Sequence, residues 1–331
     1  MKYIPPKFER LSEMAAIDVG RLTEDEARKI LEGIRWPKGI ECPHCKSKDI
    51  VRINGKSETV RDGLLRCKDC RKQFTVTVGT IMERSHITLR QWVQAFYSMC
   101  AHKKGVSSLQ LKRDLGLHSY RSAWHLTHRI RLAMGHDPLA SLLKGIVEVD
   151  ETYIGGKPRK GNGENHKRGR GTKKSPVMAI VEREGNIISK PVENVTARTL
   201  KSAIREAVDN ESRIMTDEWK GYSGIEKEFN GGHGIVNHGS GEYVKGDIST
   251  NTAESYFALL KRGVHGTFHH ISKKHLPRYC NEFSFRWDNR KVSDGERTEE
   301  AVKGMKGKKL MLKDLIGKRE TIIHSLNGGI S

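Results

Sequence analysis

Two Cys-x-x-Cys pairs, "CPHC" at 42–45 and "CKDC" at 67–70, constrain this chain more than any other feature. Each two-residue knuckle turns both of its sulfurs toward one centre, so the pairs together place four thiolates around a single tetrahedral Zn²⁺. The spacing predicts a ribbon held by Cys42, Cys45, Cys67 and Cys70, with "KQFTVTVGT" supplying β-type sequence beside it. A closed four-cysteine site has no position left for a substrate, which makes the ion structural. Redox chemistry is the competing reading, but one active dithiol needs no matched second pair. Cys100 and Cys280 stand singly in apolar helical patterns; with no signal peptide, this points to a reducing compartment.

The partner is read from charge. Among 331 residues, 60 Lys and Arg stand against 40 Asp and Glu, a formal excess of +20 that exceeds what solubility requires. Such an excess points to a polyanion, nucleic acid foremost. A membrane surface is disfavoured, because no apolar run approaches the length of a span and no lipidation signal is present. The expected location is the cytoplasm, in association with the nucleoid.

Along the chain, "LTEDEARKILEGIRW" reads as a helix whose capping box is Thr23 and Glu26, ahead of Ala27, Ile30, Leu31 and Ile34. It belongs to an N-terminal helical segment, 1–40, followed by the zinc ribbon at 41–85. Residues 86–138 read as three helices, the short second one stopping at Gly116 and the third starting at Ser119, the layout of a helix-turn-helix. If the third is a recognition helix, Tyr120 and Arg121 lie where a groove would be met, with His125 and Arg129 further along. From 146 to 290 the pattern is three strands, a helix, a strand and more helix, an α/β order whose first three strands form a meander. Inside it, 155–176 carries eight Lys or Arg against one Glu and is Gly-rich, so it is expected to be a loop tracking phosphates, with Arg168 and Arg170 among its cations. Residues 291–331 are weakly patterned and are assigned a peripheral tail.

Three acids carry the chemistry. Asp150 lies in the first strand of the α/β region ("VEVDETY"), Asp217 ends the strand after the helix ("IMTDEW"), and Glu254 sits on the later helix "NTAESYFALLKRG". An RNase H-like fold brings three carboxylates in this order to one end of its sheet. Hard oxygen donors there suit Mg²⁺ or Mn²⁺, and a pair of such ions serves in-line phosphoryl displacement. Taken singly, each acid has an ordinary explanation: Asp217 as a turn residue, Glu254 as a first-turn acid favoured by the helix dipole. Strand alternation puts Glu148 on the same face as Asp150 and Glu151 on the other. Lys261 follows Glu254 by two helical turns and would grip a phosphate beside the site, with Arg262 and His265 in the same basic patch.

The stretches "WPKGIECPHC", "RCKDCRKQFTVTVGTIME", "VEVDETYIGG", "MTDEWKGY", "NTAESYFALLKRG" and "KKHLPRYCNEFSFRWDNR" resemble the DDE-type transposases of bacterial insertion sequences, in the branch related to the Merlin elements. The resemblance implies an α/β RNase H-like catalytic core behind a zinc ribbon and a helix-turn-helix domain, acting with Mg²⁺ on transposon ends. It puts the acidic triad on Asp150, Asp217 and Glu254 and the trailing cation on Lys261. Some members of the branch carry asparagine as third residue, so Asn251 is the alternative to Glu254. A family histidine falls on His238, its role open. The implied partners are transposon-end and target DNA and further copies of the chain, since recombination holds two ends together. A DNA-binding regulator would share the ribbon and the charge without needing the acids; a structure-specific nuclease would cut without joining.

Overall fold

Helix formation in the N-terminal region follows from its caps. After the short α1 (Ala16–Arg21), the Thr23 hydroxyl accepts from the Glu26 amide at 3.3 Å and the Glu26 carboxylate accepts from the Thr23 amide at 2.8 Å. This reciprocal pair starts α2 (Glu24–Arg35), which buries Ala27, Ile30 and Leu31 along one stripe. The coordinates are a computed structural model, and the residues described are 10–53, 62–135, 142–156, 173–242 and 244–317. Two units divide the chain: Met1–Met134 together with Val292–Ser331, and Gly135–Lys291.

In the first unit, β1 (Ile50–Arg52), β2 (Leu65–Cys67) and β3 (Gln73–Phe74) form a three-stranded antiparallel sheet in the order β1-β2-β3. The two cysteine knuckles are built alike. In each, the amide of the first cysteine donates to a carbonyl five residues on, Cys42 to Ser47 and Cys67 to Lys72. The residue after the second cysteine is left-handed in both, Lys46 at φ 66° and Arg71 at φ 58°. Repeated strain at equivalent non-glycine positions marks a turn geometry that both knuckles need.

Three helices follow: α3 (Leu89–Ala101), α4 (Ser108–Asp114) and α5 (Tyr120–Ala133), each opened by a hydroxyl cap at Thr88, Ser107 and Ser119. Gly116, at φ 63°, turns the chain between α4 and α5, where a side chain would be strained. The described part of the C-terminal stretch, up to Gly317, adds to this unit's core although a peripheral tail is the expectation from sequence. Its helix Asp294–Lys303 (labelled α9 in chain order) buries Ala301 and Val302 completely, and Arg297 donates to the Cys100 carbonyl at 3.0 Å. A short helix, α10 (Leu312–Ile316), follows. The sequence hid this because apolar residues in α9 are sparse and its register is set by a partner far away in the chain.

The second unit is a five-stranded mixed sheet. β4 (Ile146–Ile154), β5 (Ser175–Glu182) and β6 (Ile187–Pro191) form an antiparallel meander; α6 (Ala197–Ala207) then leads to β7 (Arg213–Asp217) and β8 (His233–Val236), both parallel to β4. The strand order is β6-β5-β4-β7-β8. The short hairpin β9 (Val244–Lys245) and β10 (Ile248–Ser249) runs into α7 (Asn251–Gly263), and α8 (Leu276–Asp288) follows.

Alternation along the central strands sorts two cores. Val147, Val149, Met178 and Ile180 face α6 with Leu200 and Ile204, whereas Val177, Ala179 and Val181 face α7 and α8 with Tyr256, Leu260 and Phe283. The meander, α6 and β7 match the expected order. β8 was not anticipated: "HGIV" is short, Gly-flanked and only half apolar, a weak strand signal.

Candidate metal centres and active site

Among the described residues, two groups of side chains have ligand atoms within 4.8 Å of one another: Cys42, Cys45, Cys67 and Cys70, and Asp150, Glu151 and Asp217. In the first, the Cys42 and Cys70 sulfurs are 3.7 Å apart and those of Cys45 and Cys67 are 3.5 Å apart. Zn–S bonds of about 2.3 Å at tetrahedral angles call for sulfurs about 3.8 Å apart, so the quartet fits a closed structural zinc. Backbone N–H groups at Cys70 and Asp69 and the neighbouring thiols bring the Cys67 thiol down to about 7. The ribbon cations Arg66, Arg71 and Lys72 are exposed.

The second group lies where parallel strands part. β4 and β7 are paired up to Glu148 opposite Met215; two residues further, Asp150 stands in the middle of β4, just past that pairing, and Asp217 ends β7. Asp217 Oδ1 accepts the Trp219 amide at 3.0 Å and Asp150 Oδ1 accepts the Glu151 amide at 2.7 Å. Burial, reinforced by the charges of Asp217 and Glu254, pushes the Asp150 carboxyl up to about 6. Carboxylates held this close repel one another, and a bound divalent cation would relieve that repulsion. The donor set, all hard oxygen, fits Mg²⁺ or Mn²⁺.

Glu151 corrects the alternation argument. Its Cβ belongs to the opposite strand face, yet its carboxylate joins the Asp150 and Asp217 pair. Alternation fixes only the Cα–Cβ direction, and past the last β4–β7 rung the β7 side of β4 has no paired strand, although β5 still pairs on the other side. Glu151 also faces the buried Tyr222, whose phenol is pushed far up, first by burial and then by this carboxylate.

Glu254 enters from α7. It is an exposed first-turn residue, 3.9 Å from His238 Nε2, and its charge acts on Asp150. Asn251, the alternative third residue, is the exposed first residue of α7. His238 lies 3.5 Å from the Thr250 hydroxyl, on a short loop gripped by Glu218, whose carboxylate accepts the His238 and Gly239 amides at 3.0 and 3.1 Å. Glu218, the sequence neighbour of Asp217, is therefore the anchor of the histidine loop, a role that depends on β8 leading into that loop.

Lys261 and Arg262 are exposed on the last turn of α7. Lys261 lines a cavity of about 290 Å³ together with Thr152, Tyr153, Lys174 and His265, a basic recess beside the end of β4. In the first unit, Tyr120 and Arg121 are exposed at the start of α5. His125 and Arg129 are not available to a groove. The His125 ring and the Arg129 guanidinium both meet the Leu310 carbonyl, at 2.9 and 3.2 Å, and Arg129 also donates to Glu83 O at 3.3 Å. The Leu310 carbonyl comes from the C-terminal stretch, for which the sequence predicts only a peripheral tail. Arg168 and Arg170 lie outside the described residues.

Comparison with known families agrees with this layout. Residues 142–288 match the family model described as ISXO2-like transposase domain, and residues 22–73 the one described as transposase zinc-ribbon domain. An uncharacterised protein in the transposable element ISH50 of Halobacterium salinarum is 28% identical over 278 residues, covering 80% of this chain and 91% of that protein. No solved structure matches. Among the described residues, no helix is long and apolar enough to cross a membrane.

Proposed function

We propose that this chain, which carries the zinc ribbon and the DDE domain of the ISXO2-like insertion-sequence transposases, is a DNA transposase that cuts at transposon ends and joins the freed 3′-hydroxyl to target DNA. The observation that carries the reading is the gathering of Asp150, Glu151 and Asp217 where β4 and β7 part, with Glu254 on α7 outside that group but near enough for its charge to act on Asp150. The strand order and the acid positions fit an RNase H-like frame. A regulator that only binds DNA gains nothing from crowding carboxylates at a cost to its own stability.

In this reading Asp150 and Asp217 hold the divalent ions, and Glu254 completes the site from α7. Mg²⁺ or Mn²⁺, when bound, supplies activation of the attacking oxygen and charge stabilisation at the leaving one. The residues' own work is placement. Asp217 is fixed by the Trp219 amide, Glu254 is faced by His238, and the loop bearing His238 is fixed by Glu218. Lys261, with Arg262 near it, holds a DNA phosphate at the basic recess, while α4 and α5 act as a helix-turn-helix that presents Tyr120 and Arg121 to the duplex. Arg168 and Arg170 add further phosphate contacts. Water attacks the phosphorus at the element end and the 3′-oxygen leaves with the electron pair; that oxygen, as a hydroxyl, then attacks a phosphorus of target DNA, displacing its 3′-oxygen. Holding two ends requires more than one copy of the chain, and the substrate places it at the nucleoid.

The test is a labelled fragment carrying the element's terminal repeat, incubated with the protein and Mg²⁺. Cleavage at the end with recovery of strand-transfer product supports the assignment. Cleavage with no joined product would leave a nuclease, and binding without cleavage a regulator.

A further inference from the structure

Glu148 is a carboxylate with no exposure at all, two residues before Asp150 on the same face of β4. Isolated buried charges are costly, and this one is fully engaged. Its Oε2 accepts the amides of Thr252 at 2.7 Å and Ala253 at 3.1 Å; its Oε1 accepts the Thr252 hydroxyl at 2.9 Å and Arg183 Nε at 2.9 Å. The second Arg183 amino group is 2.8 Å from the same oxygen.

α7 needs these bonds. Its N-cap, Thr250, makes no side-chain capping bond, so the first amides of the helix find their acceptor in a residue 104 positions away in the chain. The negative charge also suits the positive end of the helix. Arg183 extends the attachment backward, donating to the Asp247 carbonyl at 2.9 Å and to the Ser249 hydroxyl at 3.1 Å, at the hairpin that leads into α7. Glu254 is the residue next after Ala253. Strand β4 therefore carries Asp150 and, one pleat earlier, the group that bolts down the turn bearing Glu254.

We propose that Glu148, braced by Arg183, is a positioning residue that sets Glu254 against Asp150 and Asp217 and so determines how tightly the acidic site holds a divalent cation. The inference rests on the reading of those carboxylates as a cation site. Glu148 touches neither cation nor DNA; it acts through α7.

The experiment uses the full zinc-loaded chain, with Mn²⁺ binding followed by the electron paramagnetic resonance of the free ion. Glu148→Gln is expected to weaken Mn²⁺ binding by roughly 10- to 100-fold, the range seen when an outer support of a metal ligand is lost. Glu254→Ala should weaken it comparably, and Glu148→Gln added to Glu254→Ala should produce no further loss. Amide exchange at Thr252 and Ala253 should quicken in Glu148→Gln while β5 stays protected. Wild-type Mn²⁺ affinity in Glu148→Gln, or losses that multiply with those of Glu254→Ala, would overturn the proposal. Should Glu148→Gln not fold, Thr252→Val removes one donor and should weaken binding about threefold, again without adding to Glu254→Ala. Asp150→Asn separates the two readings: if it binds Mn²⁺ like the wild type, the cation site falls. The clamp is then judged by exchange alone, and unchanged protection at Thr252 and Ala253 would overturn it as well.

Discussion

The cysteine quartet and the acidic cluster are opposite ways of bringing donor atoms together, the second a metal site only in the function proposed above. The four thiols come from two copies of one local turn, and their spacing already matches a closed tetrahedral site. The carboxylates come from two strands and a helix, burial and the neighbouring charges raise the Asp150 carboxyl, and their placement relies on bonds made elsewhere. The first arrangement is satisfied by its ion and finished. The second is left strained by like charge and open to solvent at Glu254, the condition in which an ion can exchange partners with a substrate.

The largest effect expected is at the zinc. Cys67→Ser or zinc chelation should unfold the ribbon, a loss on the order of 10 kcal/mol for that module, while the unfolding transition of the sheet domain keeps its midpoint. Calorimetry with a zinc-release dye reads both; coupled loss of the two transitions would break the contrast. Next, Asp150→Asn should reduce Mg²⁺-dependent cleavage by about 10³-fold or more with DNA binding retained, as gel shift and cleavage assays would show. The same substitution has a second signature. A carboxyl whose folded pKa is raised to about 6 contributes stability that is fully present below its unfolded value near 3.8 and lost as pH rises through 6. Without added Mg²⁺, Asp150→Asn should therefore raise stability by about 3 kcal/mol at pH 8 and leave it unchanged at pH 3.5. Glu151→Gln should weaken Mn²⁺ binding by roughly tenfold, sharpening the boundary of the cluster; no change would return Glu151 to a purely structural role beside Tyr222. The smallest effect belongs to Lys261→Ala, which should weaken DNA binding by about 1 kcal/mol and lower the slope of log affinity against log salt by about one.

The same contrast explains what could be read in the sequence. A knuckle is local, so four cysteines were enough to place the ribbon, and the Thr23 and Glu26 cap was legible because its partners are three residues apart. The order of strands around Asp150 and Asp217 followed from apolar periodicity. What stayed hidden depends on distant chain. Glu151 sits on the face that alternation assigns, but its carboxylate reaches the cluster because β4 has outrun β7 there. Glu218 needed β8 to become an anchor, and β8 carries too few apolar residues to announce itself. His125 and Arg129 read as groove contacts until the Leu310 carbonyl was seen to occupy both.

That Leu310 contact belongs to a segment that closes the first unit after the whole of Gly135–Lys291 has passed. During synthesis the ribbon and the three helices emerge early but wait for their last wall, and the sheet domain is complete before it arrives. A chain stopped at residue 291 would keep every proposed reacting group and yet leave Cys100, Ala133 and Arg129 without the partners that cover them. Premature termination would thus spoil the amino-terminal unit first, leaving a ribosome product whose sheet unit outlives its companion.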